Sequence, residues 1–491
     1  MTARLPDILV FLSDQHHGLY AGFAGHPLVE TPHLDRLAAD GTVCETVYTA
    51  CPLCVPARSA LLTGQLPSHN GVYDNSHILD SGRATFLDGL AVAGYQTVLC
   101  GRMHFKGVDQ RHGFDRRIHG DITSGYLDGI SRSEAYGSAF GMGGCIDLAG
   151  WGDSPVLTYD RAVAGAALDY LEQDHGKPQC IVVGTYGPHF PYVAPPEYAA
   201  RYERRVAAPV SWDPEGRDEN PLVDAKRQRT RHNRHTGEVE PVTTEIMLAA
   251  RAAYFGMITE QDRLIGTVRD QWRRYLQRTG RPGVFVYTSD HGDTCGEHGI
   301  FGKQTFYEGS SRIPLVFAGA GIAAGRRLRQ PASIMDVGPT LCDLVGTIAP
   351  PRQDGISLAS SLQGNDEAPR SVLSEWVQWY DDRVVAGRMV RQDDWKLIRF
   401  NHAAIPDQLF DLSTDPDELE NHAGESLEIV QDLGEQLEDG WDPGRITAEF
   451  GEKREHVKLL NRRHQIVPTA EAFTDVWRLP SEVNRLPERF I

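Results

Sequence analysis

Short apolar segments that end in polar residues, separated by helix-like segments, most constrain the fold of this chain. The first covers residues 8–12 and is followed by Asp14. Similar segments are QTVLCG, CIVVGTYGPH and GVFVYTSDHGD, and TPHLDRLAADG predicts a helix with Thr31 as N-cap and Gly41 as C-cap. Apolar runs of this length are typical of strands buried on both faces of a parallel sheet. The pattern predicts an α/β fold, with a large, mixed, mostly parallel sheet flanked by helices.

The character of the sequence changes near residue 371. The segments SVLSEWVQWY, RMVRQDDWKLIRF and DQLFDL resemble short antiparallel strands, and a charged helix and an irregular tail follow them. A chain of 491 residues has room for one large α/β domain with an appendage. We therefore predict a main domain over residues 1–370. A smaller C-terminal α+β subdomain, with a short antiparallel sheet and an extended tail, is predicted over residues 371–491.

The formal net charge of −18 disfavours nucleic acid and anionic membranes as partners. No segment approaches the roughly 18 to 20 apolar residues of a membrane span. The apolar run near the N-terminus is shorter than the roughly 7 to 15 residues of a secretory signal core. Eight scattered cysteines do not form a disulfide framework and fit a reducing compartment. We expect a cytoplasmic protein, in which an anionic substrate would need a local cluster of Lys, Arg and His.

One basic segment, AKRQRTRHNRHT at residues 225–236, interrupts this acidic chain. Charge runs are usually solvated, so we interpret it as a surface insertion. The alternative is a loop that folds over an anionic substrate or docks on the acidic surface of a second subunit.

Polar residues at the predicted strand ends could hold a divalent cation. Asp14 and Gln15 follow the first strand, and Asp290, His291 and Asp293 follow a later one. The carboxyl ends of parallel strands meet along one edge of a sheet. Oxygen-rich ligand sets favour calcium, magnesium or manganese over zinc. An Asp after a strand is also a common helix N-cap, so the metal prediction depends on the combination.

Basic side chains in or beside similar segments could bind a tetrahedral oxyanion. Lys and Arg are rarely buried without partners, and an oxyanion would give them a common one through charge-assisted hydrogen bonds. A buried histidine is usually a satisfied ring, so the two histidines count because both follow strands. The candidates are Arg58, Arg102, His104, His189 and Lys303.

Two cysteines lie three positions apart in CPLCVPARSALLTG, residues 51–64. A redox pair would need a small thioredoxin-like setting, and a zinc site would need a second pair of ligands at short spacing. The sequence offers neither, which leaves a plain buried Cys54 or a functional one. The residues from Pro56 to the Gly64 stop predict a helix directly after Cys54.

The segment CVPARSALLTG resembles the signature of the type I sulfatases, Cys-x-Pro-Ser/Ala-Arg with a downstream Thr-Gly. That family belongs to the alkaline-phosphatase-like superfamily. Other segments resemble it in the same order along the chain: PDILVFLSDQ, TPHLDRLAADG, GRMHF, GPHFPY, SDHGD, GKQTFYEGSSRIPL, SIMDVGPTLCDLVG and QLFDLSTDPDELENHA. Within the family, PLCVPAR, GQLPSHNGVYDNS and GRMHFKGVDQRHGFD are most similar to choline-sulfatase-like enzymes. The resemblance makes residues 1–370 the catalytic domain.

In that family a maturation enzyme oxidises the signature cysteine to formylglycine, and the resemblance implies this for Cys54. One hydroxyl of the hydrated aldehyde, held on a metal, attacks sulfur. A base then takes the proton of the second hydroxyl, and sulfate leaves by elimination. Serine or an unmodified thiol has no second hydroxyl and would stall. The implied ligands of one divalent ion, calcium in preference to magnesium or manganese, are Asp14, Gln15, Cys54, Asp290 and His291.

The resemblance also implies roles for the basic residues. Arg58 matches the residue that supports the formylglycine hydroxyl, and Arg102 stands where the family usually has lysine. His104 would be the base that drives elimination. His189 and Lys303 would bind sulfate and assist the leaving oxygen, and Asn75 would contact the substrate.

The predicted function is hydrolysis of a small anionic sulfate ester to an alcohol and inorganic sulfate. The alternative is a phosphodiester or phosphonate monoester hydrolase on the same fold. Those enzymes generally lack the histidine of GRMHF, so His104 favours sulfate. A non-catalytic binding module is disfavoured because every catalytic position is filled.

The alcohol part of the substrate stays open between choline, alkyl, aryl and sugar. A choline cage would need aromatic side chains and a carboxylate. Candidates exist, but we expect them in the core of the C-terminal subdomain: Glu375, Trp376, Trp379 and Tyr380. The resemblance further implies a homo-oligomer, a dimer or tetramer, formed through apolar residues of the tail: Val467, Phe473, Val476, Trp477 and Phe490.

Overall fold

The computed structural model describes residues 4–107, 109–123, 146, 148–216, 218–230, 242–365 and 368–466. Its strands are β1 (Asp7–Asp14), β2 (Gly41–Cys44), β3 (Val47–Tyr48), β4 (Gln96–Gly101), β5 (Arg116–His119), β6 (Gly150–Trp151), β7 (Gln179–Pro188), β8 (Val193–Ala194), β9 (Gly283–Ser289), β10 (Leu315–Gly319), β11 (Arg326–Leu328), β12 (Ala332–Ser333), β13 (Ser371–Tyr380), β14 (Arg383–Gln392), β15 (Trp395–Phe400) and β16 (Gln408–Asp411). Its longer helices are α1 (Pro32–Ala39), α2 (Cys54–Thr63), α3 (Phe86–Val92), α4 (Pro155–Leu171), α5 (Pro221–Thr230), α6 (Thr244–Thr279), α7 (Val337–Leu344), α8 (Leu427–Glu438) and α9 (Pro443–Ile466). Single helical turns lie at Pro67–Asn70, Ala199–Tyr202, Glu308–Ser311 and Ala359–Leu362.

Eight strands form the main sheet, in the order β11-β2-β10-β9-β1-β7-β4-β5. Strand β1 lies inside it and pairs in parallel with β7 and β9. Strand β10 runs antiparallel to both of its neighbours, β2 and β9. The sheet is therefore mixed and mostly parallel, which confirms the predicted fold class.

The two faces of this sheet carry separate hydrophobic cores. Along β1, Ile8, Val10 and Leu12 belong to one core, and Leu9 and Phe11 belong to the other. Helices α2, α3 and α7 supply side chains to the first core, and helices α1, α4 and α6 supply the second. Because side chains alternate along a strand, one apolar run covers both faces. The result is three layers, with the sheet between two layers of helices.

A second sheet begins at Ser371, where the change in sequence character predicts it. Its order is β13-β14-β15-β16, and every pairing is antiparallel. Helix α8 packs on one part of it through Leu433 and Leu437, and helix α9 packs on another through Ile446 and Phe450. The short antiparallel sheet is confirmed, and the division of the chain into two domains at residue 370 stays a prediction.

Gly41 does not cap helix α1, contrary to the sequence-based expectation. The helix ends at Ala39 with Asp40 as C-cap, and Gly41 is the first residue of β2. A β-carbon at position 41 would lie 2.1 Å from the carbonyl oxygen of Phe317 on β10. The glycine therefore permits two strands to approach closely.

The basic segment is not a solvated insertion in the part that the structure describes. Residues 225–230 are the second half of helix α5, and Lys226 and Arg227 are buried. Arg227 donates hydrogen bonds to the carbonyl oxygens of His298 and Gly216. Residues 231–236 lie outside the described residues, as do residues 467–491, to which we assigned the contacts of an oligomer.

Among the described helices, none combines the length and the apolarity needed to cross a membrane.

Candidate active site

The structure brings the predicted site residues together at the carboxyl edge of the main sheet. Asp14 ends β1 and Gln15 follows it, helix α2 carries two more of the residues, and the segments after β4, β7 and β9 carry the rest. Cys54 is the first residue of α2, all ten residues of which are buried. The residues that meet in this way are Asp14, Gln15, Cys54, Arg58, Arg102, His104, His189, Asp290, His291 and Lys303.

Four of these side chains form a cluster that could hold a metal ion. One donor atom from each of Asp14, Cys54, Asp290 and His291 lies within 4.8 Å of all the others, and all four residues are buried. Two carboxylates and an imidazole suit a divalent cation, and an oxygen in place of the Cys54 sulfur would make the set suit a hard cation such as calcium.

The fifth predicted ligand, Gln15, has an acceptor to spare. Its Nε2 donates to Oδ2 of Asp293 at 2.5 Å. Its Oε1 is buried and accepts no hydrogen bond from the described residues. A buried carbonyl oxygen without a donor is costly, and a cation would satisfy it. The residues present therefore fit a bound divalent ion.

Arg58 orients the two carboxylates of this cluster. Its Nε donates to Oδ2 of Asp290 at 2.8 Å, and its Nη2 donates to Oδ2 of Asp14 at 3.1 Å. Oδ1 of each carboxylate lies 3.6 Å from Nε2 of His291. The guanidinium thus holds the outer oxygens, as groups behind metal ligands commonly do. The inner oxygens face His291, and that of Asp290 also accepts the backbone N–H groups of Gln15 and His291.

Cys54 lies between this cluster and a lysine. Nζ of Lys303 is 2.9 Å from the Cys54 sulfur, and Nε2 of His291 is 3.2 Å from it. Burial and the Asp14 carboxylate raise the pKa of the Cys54 thiol. Lys303 and a hydrogen bond from His189 lower this pKa, and with them it lies below the ordinary value of a thiol. A polarised thiol at a helix N-terminus is an activated position.

Asn75 lies beside the same helix end. Its Oδ1 accepts a hydrogen bond from the backbone N–H of Val55 at 2.9 Å. This contact satisfies a donor in the first turn of α2 and holds the turn that carries Cys54. Nδ2 of Asn75 has no partner among the described residues and is free for another contact.

Arg102 contacts protein groups on several sides. It donates to Asp14 at 2.6 Å and to Asp121 at 3.3 Å, and Thr123 accepts from it at 3.0 Å. Its guanidinium lies over the ring of Tyr186, 4.5 Å from the centroid. These contacts are those of a positioning residue. Sequence reasoning missed Asp121 and Thr123, since no motif marks them.

Two site histidines are neutral at ordinary pH. Burial and the nearby Arg102 hold the pKa of His104 well below its usual range. Burial and Lys303 lower the pKa of His189 to about 4.

The backbone is in the left-handed region at two site residues. The φ angle is 69° at Gln15 and 56° at His104. Residues other than glycine adopt this region at a cost of about 1–2 kcal/mol, and such strain concentrates at functional sites.

Cys51 and Cys54 do not form a pair. Both are free in the structure, and Cys51 is fully buried. Burial raises the pKa of Cys51 well above its usual value. Cys51 is therefore a packed, unreactive residue, in agreement with the absence of a thioredoxin-like setting in the sequence.

Two members of the candidate choline cage, Glu375 and Trp376, lie in the core as expected, but the expectation is wrong for Trp379, which is 43% exposed, and Tyr380 is only partly buried. Glu375 accepts from Ser68 and Arg388, and Trp376 packs in a hydrophobic cluster with Phe306 and Phe400.

The sheet and the site together define a hydrolase of the alkaline-phosphatase-like fold. The family model described as sulfatase matches residues 6–347. A second model, described as the C-terminal part of N-sulphoglucosamine sulphohydrolase, matches residues 296–441. The chain belongs to the sulfatase family and is a sulfatase.

Two relatives agree with this assignment, and two solved structures share the fold. The choline-sulfatase of Rhizobium meliloti (strain 1021) is 34% identical over 445 residues, which cover 86% of this chain and 83% of the relative. Arylsulfatase K of Homo sapiens is 27% identical over 468 residues, covering 89% and 82%. A structure in complex with its substrate D-glucosamine-2-N,6-O-disulfate has a TM-score of 0.70 at 21% identity and covers 90% of this chain and 99% of its own. The phosphonate monoester hydrolase of Agrobacterium radiobacter has a TM-score of 0.68 at 22% identity, with coverage of 93% and 96%.

Proposed function

We propose that this sulfatase hydrolyses a small anionic sulfate ester to an alcohol and inorganic sulfate, after a maturation enzyme has oxidised Cys54 to formylglycine. The observation that carries the proposal is the position of the Cys54 sulfur. It lies within the 4.8 Å cluster of metal-ligand atoms, and Lys303 lies 2.9 Å from it. A nucleophile, a cation and a proton donor are all needed at the sulfur centre of a sulfate ester, and these groups would meet at position 54.

Two groups besides the unmodified side chains take part in the proposed reaction, formylglycine and a divalent cation. Formylglycine supplies a hydrated aldehyde as nucleophile, and a divalent cation, for which we propose calcium, supplies Lewis acidity. Asp14, Gln15, Asp290 and His291 would hold the cation together with residue 54.

The chain's own cations would hold the substrate. Lys303 is buried and hydrogen-bonds the Cys54 sulfur, so its ammonium can hold a sulfate oxygen and give a proton to the leaving oxygen. His189 lies beside it, and Nδ2 of Asn75 is a further donor. These groups lie close together in a chain of net charge −18, which gives a sulfate ester a local positive field.

The alcohol part stays open between choline, alkyl, aryl and sugar. The choline-sulfatase relative favours testing choline sulfate, and the arylsulfatase K relatives favour testing aryl sulfates. The phosphonate monoester hydrolase of the same fold makes phosphonate monoesters and phosphodiesters the competing substrates.

Two measurements test the proposal. Peptide mass spectrometry of residues 51–64, on protein made with a maturation enzyme, should show formylglycine at position 54. That protein should release sulfate from at least one member of a panel of choline, alkyl, aryl and sugar sulfates. The Cys54→Ser variant and protein made without the maturation enzyme are the controls and should release none. An unmodified thiol in fully active protein, or turnover of phosphodiesters without any sulfate release, would refute the proposal.

A further inference from the structure

Asp160 is a buried carboxylate outside the cluster of site residues. It lies in the second turn of α4 and is 1% exposed. In the described part of the chain its hydrogen-bond partners are neutral donors, namely two backbone N–H groups and the side-chain amide of Gln261. Burial raises the pKa of Asp160 to about 7, although these donors oppose the rise. A buried carboxylate is costly unless such donors satisfy it, so the two partners depend on each other.

The two backbone donors belong to an irregularity at the end of β7. Strand β7 pairs regularly with β1 as far as Gly184 and next at Pro188. Between these two pairs β1 has the single residue Ser13, whereas β7 has residues 185–187. The pairing of β7 with β4 on its other side also ends at Gly184. Such a bulge disrupts the regular ladder and bends its strand, so its N–H groups need another acceptor.

Asp160 supplies that acceptor with both of its oxygens. Oδ1 accepts from the N–H of Tyr186 at 2.7 Å, and Oδ2 accepts from the N–H of Gly187 at 2.8 Å. Nε2 of Gln261, on α6, donates to Oδ2 at 2.5 Å. A β-carbon at position 187 would lie 2.7 Å from Oδ2 of Asp160 and 2.3 Å from Nε2 of Gln261. The glycine therefore lets the backbone approach the carboxylate closely.

The bulge leads directly into the site. The N–H of His189 donates to the carbonyl oxygen of Tyr186 at 3.2 Å, which closes a turn. The ring of Tyr186 lies under the guanidinium of Arg102, 4.5 Å from its central carbon, and its centroid is 4.7 Å from that of the His189 ring. The position of the bulge therefore sets the positions of both rings.

We propose that Asp160 is a positioning residue of this sulfatase, and that its two carboxylate oxygens hold the bulge of β7 in the conformation that carries His189 into the site. Asp160 acts through His189 and not on the substrate. The proposal rests on the proposed function, in which His189 binds the sulfate ester.

Asp160→Asn tests the role of the second oxygen. A carboxamide has one acceptor oxygen and one NH2 donor, so it can accept only one of the two bulge N–H groups. A misplacement of about 1 Å at a reacting centre can cost roughly 10²-fold, and kcat/KM should fall by at least about tenfold. The ester that the parent protein hydrolyses fastest is the substrate, and the assay is run at about pH 8.5, where the carboxylate of the parent is ionised.

Asp262 is a matched control on α6. It is also 1% exposed, and it accepts from the backbone N–H groups of His33 and Leu34 at 3.0 and 2.7 Å. Burial raises the pKa of Asp262 to about 7 as well. These N–H groups begin α1, which carries no site residue. Asp262→Asn should lower the thermal unfolding temperature about as much as Asp160→Asn, but kcat/KM should stay within about twofold of the parent. An equal loss of kcat/KM in both variants would overturn the proposal.

A double-mutant cycle tests whether Asp160 acts through His189. In a His189→Ala background, Asp160→Asn should change kcat/KM by less than about twofold, because the group that it positions is gone. Gly187→Ala would push the bulge from the carboxylate without removing a polar group, and it should depend on His189 in the same way. This second variant carries the test if Asp160→Asn does not fold. An undiminished loss in the His189→Ala background would overturn the proposal.

Nuclear magnetic resonance gives a readout that needs no turnover. Ring signals of ¹³C-labelled histidine are recorded on Cys54→Ala protein, and the His189 signal is assigned by its loss in His189→Ala. Adding Asp160→Asn should shift the His189 signal, and adding Asp262→Asn should not. His175, whose Nε2 contacts the carbonyl oxygen of Tyr170 beyond the other end of α4, is the internal reference. An unshifted His189 signal would overturn the proposal.

The two levels of proposal fail differently. Sulfate release with an unshifted His189 signal would leave the proposed function standing and remove only this inference. A shifted His189 signal without sulfate release from any ester would refute the proposed function and leave Asp160 as the residue that positions His189.

Discussion

The side chain of Lys396, on β15 of the second sheet, donates a hydrogen bond to the carbonyl oxygen of Phe306 at 2.9 Å. Lys396 is fully buried and also donates to Glu308 at 2.8 Å, and it forms an ion pair with Glu418. Phe306 lies three residues after Lys303. The C-terminal sheet therefore fixes the segment that carries the lysine at the nucleophile.

Replacing this lysine should destabilise the protein strongly. Lys396→Met removes a cation from between the buried Glu308 and Glu418. Glu308 keeps Arg312 as a second cation, so the free energy of unfolding in urea should fall by less than the about 3–5 kcal/mol that a fully uncompensated buried charge costs. Adding Glu418→Gln should restore part of the loss. Lys458→Met, at an exposed pair on α9, is the control and should change stability by less than about 1 kcal/mol. A Lys396→Met effect as small as the control would show that the cluster contributes little.

Arg58 should control metal affinity. Arg58→Lys keeps a positive charge but cannot bridge Asp14 and Asp290 as the guanidinium does. Groups that orient metal ligands typically contribute 10- to 100-fold, so calcium binding by calorimetry should weaken by roughly that factor. Arg273→Lys, at an exposed pair with Asp40, is the matched control. Unchanged calcium affinity with lost activity would instead assign Arg58 to the formylglycine hydroxyl.

Two variants should separate the structural role of Oδ1 of Asn75 from the substrate contact of its Nδ2. Asn75→Ala removes the acceptor for the Val55 N–H and should cost about 1 kcal/mol of stability. Asn75→Asp keeps that acceptor, so its stability should stay within about 0.5 kcal/mol of the parent. Its carboxylate would repel sulfate where Nδ2 donated, and KM should rise by roughly tenfold. An unchanged KM for Asn75→Asp would leave Asn75 with the structural role alone.

His77 should make the protein sensitive to acid. Burial and Lys453 lower the pKa of His77 from 6.5 to about 3. Below pH 6.5 the His77 ring of the unfolded chain therefore binds a proton, whereas the same ring in the folded chain stays neutral. The stability from this histidine is complete above pH 6.5 and is lost as the pH falls towards 3. At pH 5 the loss is about 2 kcal/mol.

The variant His77→Asn keeps an acceptor for the Tyr73 N–H without a titrating ring. It should be less stable than the parent at pH 7, but the drop in unfolding free energy between pH 7 and pH 5 should shrink by about 2 kcal/mol. His456→Asn, on the exposed surface of α9, should leave that drop unchanged. Equal drops in His77→Asn and the parent would contradict the assignment.

Much of the site follows from the sequence because strand ends are visible in it. Asp14, His189 and Asp290 could be placed together, since apolar runs mark the strands and the carboxyl ends of parallel strands share an edge. The helix that begins at Cys54 is visible for a similar reason, through Pro56 and the glycine stop at Gly64.

The partners within the site do not follow from the sequence. Arg102 reaches Asp14 across 88 positions, and Lys396 reaches Glu308 across another 88. Contacts between elements that are distant along the chain leave no periodic signal. Gly41 shows the same limit, because the sequence does not distinguish a glycine needed for close strand packing from a glycine that ends a helix. The cytoplasmic location, the oligomeric state and the site roles stay predictions.

The complete burial of α2 has a consequence for the biosynthesis of the enzyme. Cys54 is 1% exposed, and Leu61 and Leu62 of its helix belong to the core against the sheet. The maturation enzyme that we propose could reach this segment only while the chain is still unfolded. Folding and the proposed oxidation of Cys54 would then compete in time, and a chain that folds first would keep the thiol. Slower folding during synthesis should then raise the active fraction, even though it leaves the final structure unchanged.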